Sequence, residues 1–229
     1  DTASFGDISL TATNLSDIFI AKLNAEGEYE WATKAGGRSE DVGYGITALS
    51  DGSSIVTGSF RSDATFGDTT LRSNYPGFDI FIAKLNADGE FDWATQFATI
   101  SGRDGDDGRG FDITSLSDGS SIVTGYFNGK PIIGGTEIKS VNGGSLFIAK
   151  LNAEGEYEWA TTAEGGSGYD YGYGITSLND GSSIVTGRFK NTASFGDTTL
   201  TSDSRSFDIF IAKLNADGEF EWATKAGGS

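Results

Sequence analysis

The side chains that most often carry out chemistry in proteins are unevenly represented in this chain of 229 residues. It contains no His, Cys or Met, so it lacks an imidazole base, a thiolate nucleophile and the usual ligands of zinc, copper and haem. Carboxylates are plentiful, with 33 acidic against 16 basic residues and a net charge of -17. We do not expect binding to nucleic acid or to an anionic membrane surface, because both require a basic patch.

The densest acidic stretch makes Ca²⁺ the one metal to consider, and no other cofactor is expected. Its candidate ligands are four carboxylates: Asp104, Asp106, Asp107 and Asp112. Carboxylate oxygens suit this hard cation. The spacing does not match an EF-hand loop, since Gly108 stands at the fifth ligand position and no Glu follows at the twelfth. The pattern favours a solvated acidic loop, with a weak cation site as the alternative.

Aromatic side chains are the second group with a chemical use. Four of them lie in Gly-rich segments and are the candidate ligand-binding residues, because aromatic rings stack against sugars: Tyr44, Phe111, Tyr171 and Tyr173. The four Trp residues occupy equivalent strand positions instead. For Trp31, Trp93, Trp159 and Trp222 we therefore expect packing between sheets.

One lysine recurs inside an apolar strand of each repeat: Lys22, Lys84, Lys150 and Lys213. A desolvated lysine can act as a Schiff-base nucleophile, but four copies argue against a single catalytic centre. We expect the aliphatic stems to pack and the ammonium groups to meet carboxylates. Asp17, Asp79 and Asp208 are the candidate partners.

An enzymatic function is not predicted. Paired carboxylates can hydrolyse glycosidic bonds without histidine, yet the acidic residues here mostly recur with the period of the sequence, as structural positions do. No Gly-Lys-Ser/Thr phosphate-binding loop occurs. No apolar run approaches the roughly 20 residues of a membrane helix, so membrane insertion is not expected either.

The whole sequence is repetitive. The Trp residues recur at intervals of 62, 66 and 63 residues, and Phe-Ile-Ala-Lys-Leu-Asn begins at Phe19, Phe81, Phe147 and Phe210. The motif Asp-Gly-Ser-Ser-Ile-Val-Thr-Gly begins at Asp51, Asp118 and Asp180. Such a period predicts stacked supersecondary units. We divide a single repeat domain, 1–229, into a partial repeat, 1–42, and repeats 43–107, 108–168 and 169–229.

Within each repeat the pattern predicts β-strands. Segments 208–214 and 220–224 flank an Asn/Gly turn, as do segments 173–178 and 183–187, and a weaker fifth segment spans 193–200. Apolar runs such as Ile18–Ala21 indicate sheets that are covered on both faces. The predicted fold class is all-β, with β-propeller blades of four or five antiparallel strands and about 63 residues per repeat. A β-solenoid-like stack is the alternative.

A family resemblance accompanies these motifs. Tyr169-Asp170-Tyr171-Gly172-Tyr173-Gly174-Ile175, the following Ile184-Val185-Thr186-Gly187 and the segment from Phe207 to Asn215 are similar to the bacterial β-propeller repeat called SBBP. The resemblance covers nearly the whole chain. It implies blades of secreted or surface-displayed bacterial proteins, with scaffolding or adhesive roles and no assigned catalytic residues. The third repeat departs from the pattern, since Ser145 replaces the aspartate of the other repeats.

The two kinds of hairpin are unequal in number, because the Trp hairpin occurs four times and the Ile-Val-Thr-Gly hairpin three times. Unpaired sheet edges favour association. We expect a non-enzymatic structural or interaction module, extracellular or at the bacterial cell surface. It would be a segment of a longer repeat protein, or would pair with other copies or other repeat-containing chains. The alternatives are a glycan-binding propeller, with or without Ca²⁺, and an engineered or evolved repeat propeller.

Overall fold

The computed structural model describes residues 1–73, 77–97, 108–133, 136–138, 140, 144–164, 169–203 and 206–227. Within these ranges the regular structure is β-sheet, which confirms the predicted all-β class. Among the same residues, no helix is long and apolar enough to cross a membrane.

The strands fall into four units that follow the repeats. Unit 1 has β1 (Thr2–Phe5), β2 (Ile8–Thr11), β3 (Ile18–Leu23) and β4 (Tyr29–Gly37). Unit 2 has β5 (Val42–Ala48), β6 (Ser54–Phe60), β7 (Asp63–Phe66), β8 (Thr69–Arg72), β9 (Asp79–Leu85) and β10 (Phe91–Phe97). Unit 3 has β11 (Gly108–Ser115), β12 (Ser121–Phe127), β13 (Ile132–Ile133), β14 (Thr136–Glu137), β15 (Ser145–Leu151) and β16 (Tyr157–Thr161). Unit 4 has β17 (Tyr171–Ser177), β18 (Ser183–Lys190), β19 (Thr192–Phe195), β20 (Thr198–Thr201), β21 (Phe207–Leu214) and β22 (Phe220–Ala226).

Units 2 to 4 each form a four-stranded antiparallel sheet, consistent with propeller-like blades. The strand orders are β5-β6-β9-β10, β11-β12-β15-β16 and β17-β18-β21-β22. The first strands of these sheets are β5, β11 and β17, of which β11 contacts both of the others. They are called the inner strands below. Unit 1 has only the second half of this pattern, so β3 lies at the edge of its sheet.

The remaining strands form short hairpins. Hairpin β7–β8 leaves unit 2 and extends the sheet of unit 1, where Gly36 and Gly37 of β4 pair with Thr65 and Ala64. Likewise, Glu164 of unit 3 forms a bridge to Ser194 of β19. The segment 193–200, predicted as one weak fifth strand, is therefore two strands. Gly196, with a φ of +58°, divides it with a tight turn.

The Trp hairpins owe their sharp turns to an asparagine. The side-chain oxygen of Asn215 accepts hydrogen bonds from the amides of Asp217 and Glu219, at 3.0 and 2.9 Å. Gly218 then takes a φ of +82°, which the Asn-Ala-Asp-Gly sequence allows. Asn24, Asn86 and Asn152 form the same turn in the other units.

The core lies between consecutive units. We call the face of a unit that meets the following unit its forward face, and the opposite face its rear face. Each apolar cluster joins the forward face of one unit to the rear face of the next. Between units 3 and 4, Leu146 and Ile148 of the forward face pack with Val185, Phe189 and Phe210 of the rear face. Equivalent clusters join units 1 and 2 and units 2 and 3.

Replacing Phe210 by Ala should lower the free energy of unfolding by about 3–5 kcal/mol, because its ring is fully buried. Phe19 occupies the equivalent position in unit 1 and is 61% exposed. Phe19→Ala is thus a matched control and should cost about 1 kcal/mol or less. Urea unfolding followed by circular dichroism measures both, and equal losses would contradict the assigned packing.

Candidate interaction surfaces

Each contact between units is fixed by an indole ring on a glycine. The ring nitrogens of Trp31, Trp93 and Trp159 donate hydrogen bonds to the carbonyl oxygens of Ala87, Ala153 and Ala216, at 2.9, 3.1 and 3.1 Å. Each acceptor belongs to the Asn-turn of the following unit. This confirms the predicted packing between sheets for these three Trp residues. The prediction does not hold for Trp222, which is 41% exposed.

The glycine of the same turn lies directly against the ring. A Cβ on Gly89, Gly155 or Gly218 would lie only 2.6–2.8 Å from an indole carbon. Glycine is therefore required both for the positive φ of the turn and for the approach of the ring. The sequence contains a signal for this contact that motif reading alone does not reveal. Each of these glycines stands four residues before the Trp of its own repeat.

The forward face of unit 4 lacks such a partner within the described residues. Ile209, Ile211 and Trp222 are 53%, 40% and 41% exposed. The counterparts of the two isoleucines in unit 2, Ile80 and Ile82, are fully buried. An apolar surface of this composition, repeated elsewhere as a core, is typical of a protein–protein contact.

Unit 1 presents the complementary surface. Gly27, at the tip of its Asn-turn, has no atom within 4 Å of the position that a Cβ would occupy. The rings of Phe19 and Tyr29 are 61% and 41% exposed, and both contact the ring of Phe5, Phe19 in a tilted and Tyr29 in an edge-on arrangement. The described chain thus contains one uncovered forward face and one uncovered rear face.

Three of the four predicted ligand-binding aromatics lie together along the inner strands. Tyr44, Phe111 and Tyr173 each occupy a β-bulge, where the register to the next strand shifts by one residue. The ring centres of Tyr44 and Phe111 are 5.5 Å apart, and those of Phe111 and Tyr173 are 5.2 Å apart. A bulge redirects a side chain out of the regular alternation, so the three rings form one row.

The fourth residue, Tyr171, lies beside this row and belongs to a cationic stack. Its ring is nearly parallel to that of Tyr173, at 5.6 Å. The guanidinium carbon of Arg188 lies between Tyr171 and Phe207, 4.6 and 4.3 Å from the two ring centres. The Nε atom of Arg188 is buried and, within the described residues, has no hydrogen-bond partner. We call Tyr44, Phe111, Tyr171, Tyr173 and Arg188 the inner aromatic cluster.

The candidate calcium ligands are not seen together. Asp104, Asp106 and Asp107 lie outside the described residues. Asp112 lies in β11, where its carboxylate accepts hydrogen bonds from the amides of Ile113 and Ile175, at 2.9 and 2.8 Å. This carboxylate therefore joins two inner strands. Among the described residues, no group of three acidic side chains is placed to hold a metal ion.

The predicted partners of the strand lysines need correction. Lys22, Lys150 and Lys213 each form an ion pair of 2.8 Å with a glutamate on the adjacent strand, not with an aspartate of the predicted set. Asp17 and Asp208 instead pair with Lys34 and Lys225, at 2.9 and 3.2 Å. Strand register brings the glutamates alongside the lysines, which sequence spacing alone does not reveal.

The third unit changes both members of the aspartate–lysine pair. Ser145 stands at the position of Asp17 and Asp208, and Thr162 stands three residues after its Trp, where Lys34 and Lys225 stand after theirs. The hydroxyl of Thr162 donates a 2.7 Å hydrogen bond to the carbonyl oxygen of Leu146. The pair is thus a structural feature that a neutral arrangement can replace.

Two buried aspartates directly precede inner strands, and the pKa of each is raised. Burial raises the pKa of Asp41 to about 6 and that of Asp170 to about 7. Hydrogen bonds from the amides of Gly37 and Arg61 to Asp41, and of Lys190 to Asp170, oppose this effect without cancelling it. Both carboxyl groups connect the start of an inner strand to another strand of the molecule.

The free energy of unfolding should fall as pH rises from about 4 to about 7. Over this range folded Asp170 keeps a proton that the unfolded chain has already lost, so the unfolded state gains relative stability, and the effect is complete above the folded pKa. Asp170→Asn should reduce this slope.

Asp180→Asn is the control, because hydrogen bonds from Ser182 lower the pKa of Asp180 and its removal should not reduce the slope. Urea unfolding at several pH values measures the difference. An unchanged slope in the Asp170→Asn variant would show that the carboxyl group is not desolvated as described.

Comparison with known proteins gives limited similarity. No family model matches the chain. It is 25% identical, over 281 aligned positions, to an uncharacterised WD repeat-containing protein of Acanthamoeba polyphaga mimivirus. The alignment covers all of this chain but 20% of that protein, so the chain spans about a fifth of its length. A protein of unknown function from Bacteroides caccae aligns with 91% of this chain and 90% of its own, at 13% identity and a TM-score of 0.25. The SBBP resemblance stays a prediction.

Proposed function

We propose that the protein is a non-enzymatic interaction module whose uncovered unit faces bind further units of the same repeat type. The observation that carries this proposal is the exposed forward face of unit 4. Its residues repeat the composition of faces that are buried at three contacts inside the chain. The distant similarity to a WD repeat-containing protein supports a repeat-based role of this kind.

The internal contacts specify how a second copy would bind. Trp222 of one copy would lie on Gly27 of another, and its ring nitrogen would donate to the carbonyl oxygen of Ala25. Ile209 and Ile211 would then meet the rear face that includes Phe19. Because the two faces differ, such a contact is head-to-tail and forms rings or open filaments. A bacterial extracellular or cell-surface location stays a prediction from the sequence.

The net charge of -17 opposes this association and makes its strength depend on salt concentration. Salt weakens the electrostatic repulsion between two copies, because charges further apart than the Debye length, about 8 Å at physiological ionic strength, are largely screened. Contacts between the apolar faces do not depend on that screening. Association should therefore strengthen when salt is added.

Sedimentation velocity over a range of protein concentrations tests the proposal. The native chain should associate reversibly, and Trp222→Ser should weaken association by about tenfold or more, since a buried aromatic anchor dominates such interfaces. Tyr169→Ser is the matched control, because Tyr169 is 46% exposed but lies outside both faces. A native chain that stays monomeric at all concentrations, or equal association of the Trp222→Ser variant, would contradict the proposal.

A second candidate function, glycan binding, rests on the inner aromatic cluster. Tyr44 and Tyr173 are 42% and 43% exposed, and the bulges bring both rings into one row with Phe111. Aromatic rings with one accessible face favour stacking against sugar rings. Calcium assistance remains a proposal carried by the acidic stretch alone.

A glycan array followed by calorimetry tests this second function. A bound oligosaccharide should lose at least about tenfold in affinity in the double variant Tyr44→Ala and Tyr173→Ala. Tyr29→Ala is the control, because Tyr29 is similarly exposed but lies on unit 1. Repeating the titration with a chelator tests calcium. Absence of array binding, or binding unaffected by the double variant, would rule out this site.

A further inference from the structure

The uncovered edge of β3 has a defined counterpart elsewhere in the chain. In units 2, 3 and 4, the strand equivalent to β3 pairs along that edge with β6, β12 or β18. Within the described residues, β3 pairs with β4 alone. The three complete sheets therefore show which strand fits this edge and in which register.

Glycine is the first requirement of that strand. Gly58, Gly125 and Gly187 lie opposite Phe81, Phe147 and Phe210 in the same register. A Cβ on any of the three glycines would overlap a backbone carbonyl oxygen of the paired inner strand, and it would also lie 2.6–2.8 Å from the ring of the opposite phenylalanine. The second of these contacts applies to a strand added at β3. Phe19 is the equivalent ring in unit 1 and is 61% exposed. Among the described residues, no strand pairs with this edge of β3 to place a glycine opposite Phe19.

Threonine is the second requirement. The hydroxyl groups of Thr57, Thr124 and Thr186 donate hydrogen bonds to the carbonyl oxygens of Phe81, Phe147 and Phe210, at 2.9, 2.8 and 2.9 Å. The first two threonines also contact the inner strand of the following unit. Thr57 lies against Gly110 and Thr124 lies against Gly172, so closely that neither glycine could carry a Cβ.

The corresponding place beside unit 1 is a groove. A Cβ on Gly43, the equivalent of Gly110 and Gly172, would meet only the side chain of Ile18 among the described residues. The groove has a volume of about 230 Å³ and is lined by β3, by residues 43–46 of β5 and by Val56. A threonine of an added strand would enter it beside Gly43.

An isoleucine is the third requirement. Ile113 and Ile175 on the inner strands are 3% and 8% exposed, because Ile55 and Ile122 of the preceding unit belong to the clusters that bury them. Ile46 occupies the equivalent position on β5 and is 57% exposed. An isoleucine two residues before the threonine of an added strand would cover it.

These contacts together define a ligand. We propose that the uncovered edge of β3 binds an extended peptide segment with the sequence Ile-Val-Thr-Gly, which adds to the sheet as an antiparallel strand. In the register of unit 4, its Gly lies opposite Phe19, its Thr opposite Ile20 and its Ile opposite Lys22. Backbone hydrogen bonds supply affinity and the side chains supply selectivity, as in other cases of strand addition.

This inference rests on the proposed role as an interaction module but uses a surface that does not include Trp222. The two proposals can therefore fail separately. Peptide binding is measured on the Trp222→Ser variant, so that association through the forward face of unit 4 does not interfere. Sedimentation of the native chain tests the other proposal alone.

The probe is a fluorescent peptide with the sequence of residues 182–190, Ser-Ser-Ile-Val-Thr-Gly-Arg-Phe-Lys. Fluorescence anisotropy measures its affinity, and NMR amide shifts locate its site. We expect saturable binding, with shifts concentrated at residues 18–23 and 43–46. The peptide change Gly187→Ala should weaken binding by about tenfold or more, because the methyl group overlaps the ring of Phe19. The peptide change Thr186→Val should weaken it by about fivefold, through loss of the hydroxyl donor.

A pair of complementary substitutions, one in the peptide and one in the protein, distinguishes this arrangement from unspecific contact with an apolar surface. Phe19→Ala in the protein should remove most of the difference between the native and the Gly187→Ala peptides, because the overlapping ring is then absent. A peptide of the same composition in scrambled order is the control. Lack of saturable binding up to about 1 mM, equal affinity of the Gly187→Ala peptide, or shifts confined to other units would overturn the proposal.

Discussion

The packing of one sheet against the next is the interaction on which the rest of this structure depends. Each four-stranded sheet is apolar on both faces, and the clusters of buried residues lie between units, not within them. A single unit therefore cannot bury its core alone, as in other repeat proteins. The indole–glycine contact sets the distance and angle at which the faces meet, because a ring and a bare Cα fit only in that arrangement.

The same requirement is the physical basis for the proposal that the uncovered faces bind further units. At the contacts between units, the side chains of the forward face are covered by the following unit. On unit 4, where no following unit is described, the equivalent side chains of Ile209 and Trp222 are exposed. Burying such groups contributes roughly 25 cal/mol for each Å² of apolar area, so a matching unit gains free energy by covering them. The repeated acidic residues give the surface its charge, and the aspartates that are buried have local structural partners.

Much of the fold follows from the sequence, because its signals are local. Asn-Ala-Asp-Gly at residues 215–218 specifies a turn by side-chain hydrogen bonds within five residues, and the flanking strands follow from the apolar pattern. The division of segment 193–200 at Gly196 does not follow from the sequence, because Phe-Gly-Asp-Thr is compatible with one irregular strand and equally with a tight hairpin. Its pairing with the preceding unit depends on contacts that are distant in sequence.

The candidate sites were less predictable because they require separate units to converge. The position of Tyr44, Phe111 and Tyr173 in Gly-rich segments predicts candidate ligand-binding residues, but only the bulges show why their rings form a row. The acidic neighbours of Asp112 in the sequence indicate a metal ligand, whereas its carboxylate accepts a hydrogen bond from an amide 63 residues away. The sequence does not single out Gly43 and Ile46, because their exposure is informative only by comparison with the buried counterparts in units 3 and 4.

Amide hydrogen exchange along β3 tests most directly the claim that the incomplete sheet of unit 1 is open to a further repeat segment. At low protein concentration, the amides of residues 18–23 that are not bonded to β4 should exchange much faster than their counterparts in β9, β15 and β21. Addition of a peptide with the Ile-Val-Thr-Gly sequence should slow them selectively. Equal protection of β3 and β9 in the dilute protein, or fast exchange that no added repeat segment slows, would contradict the account.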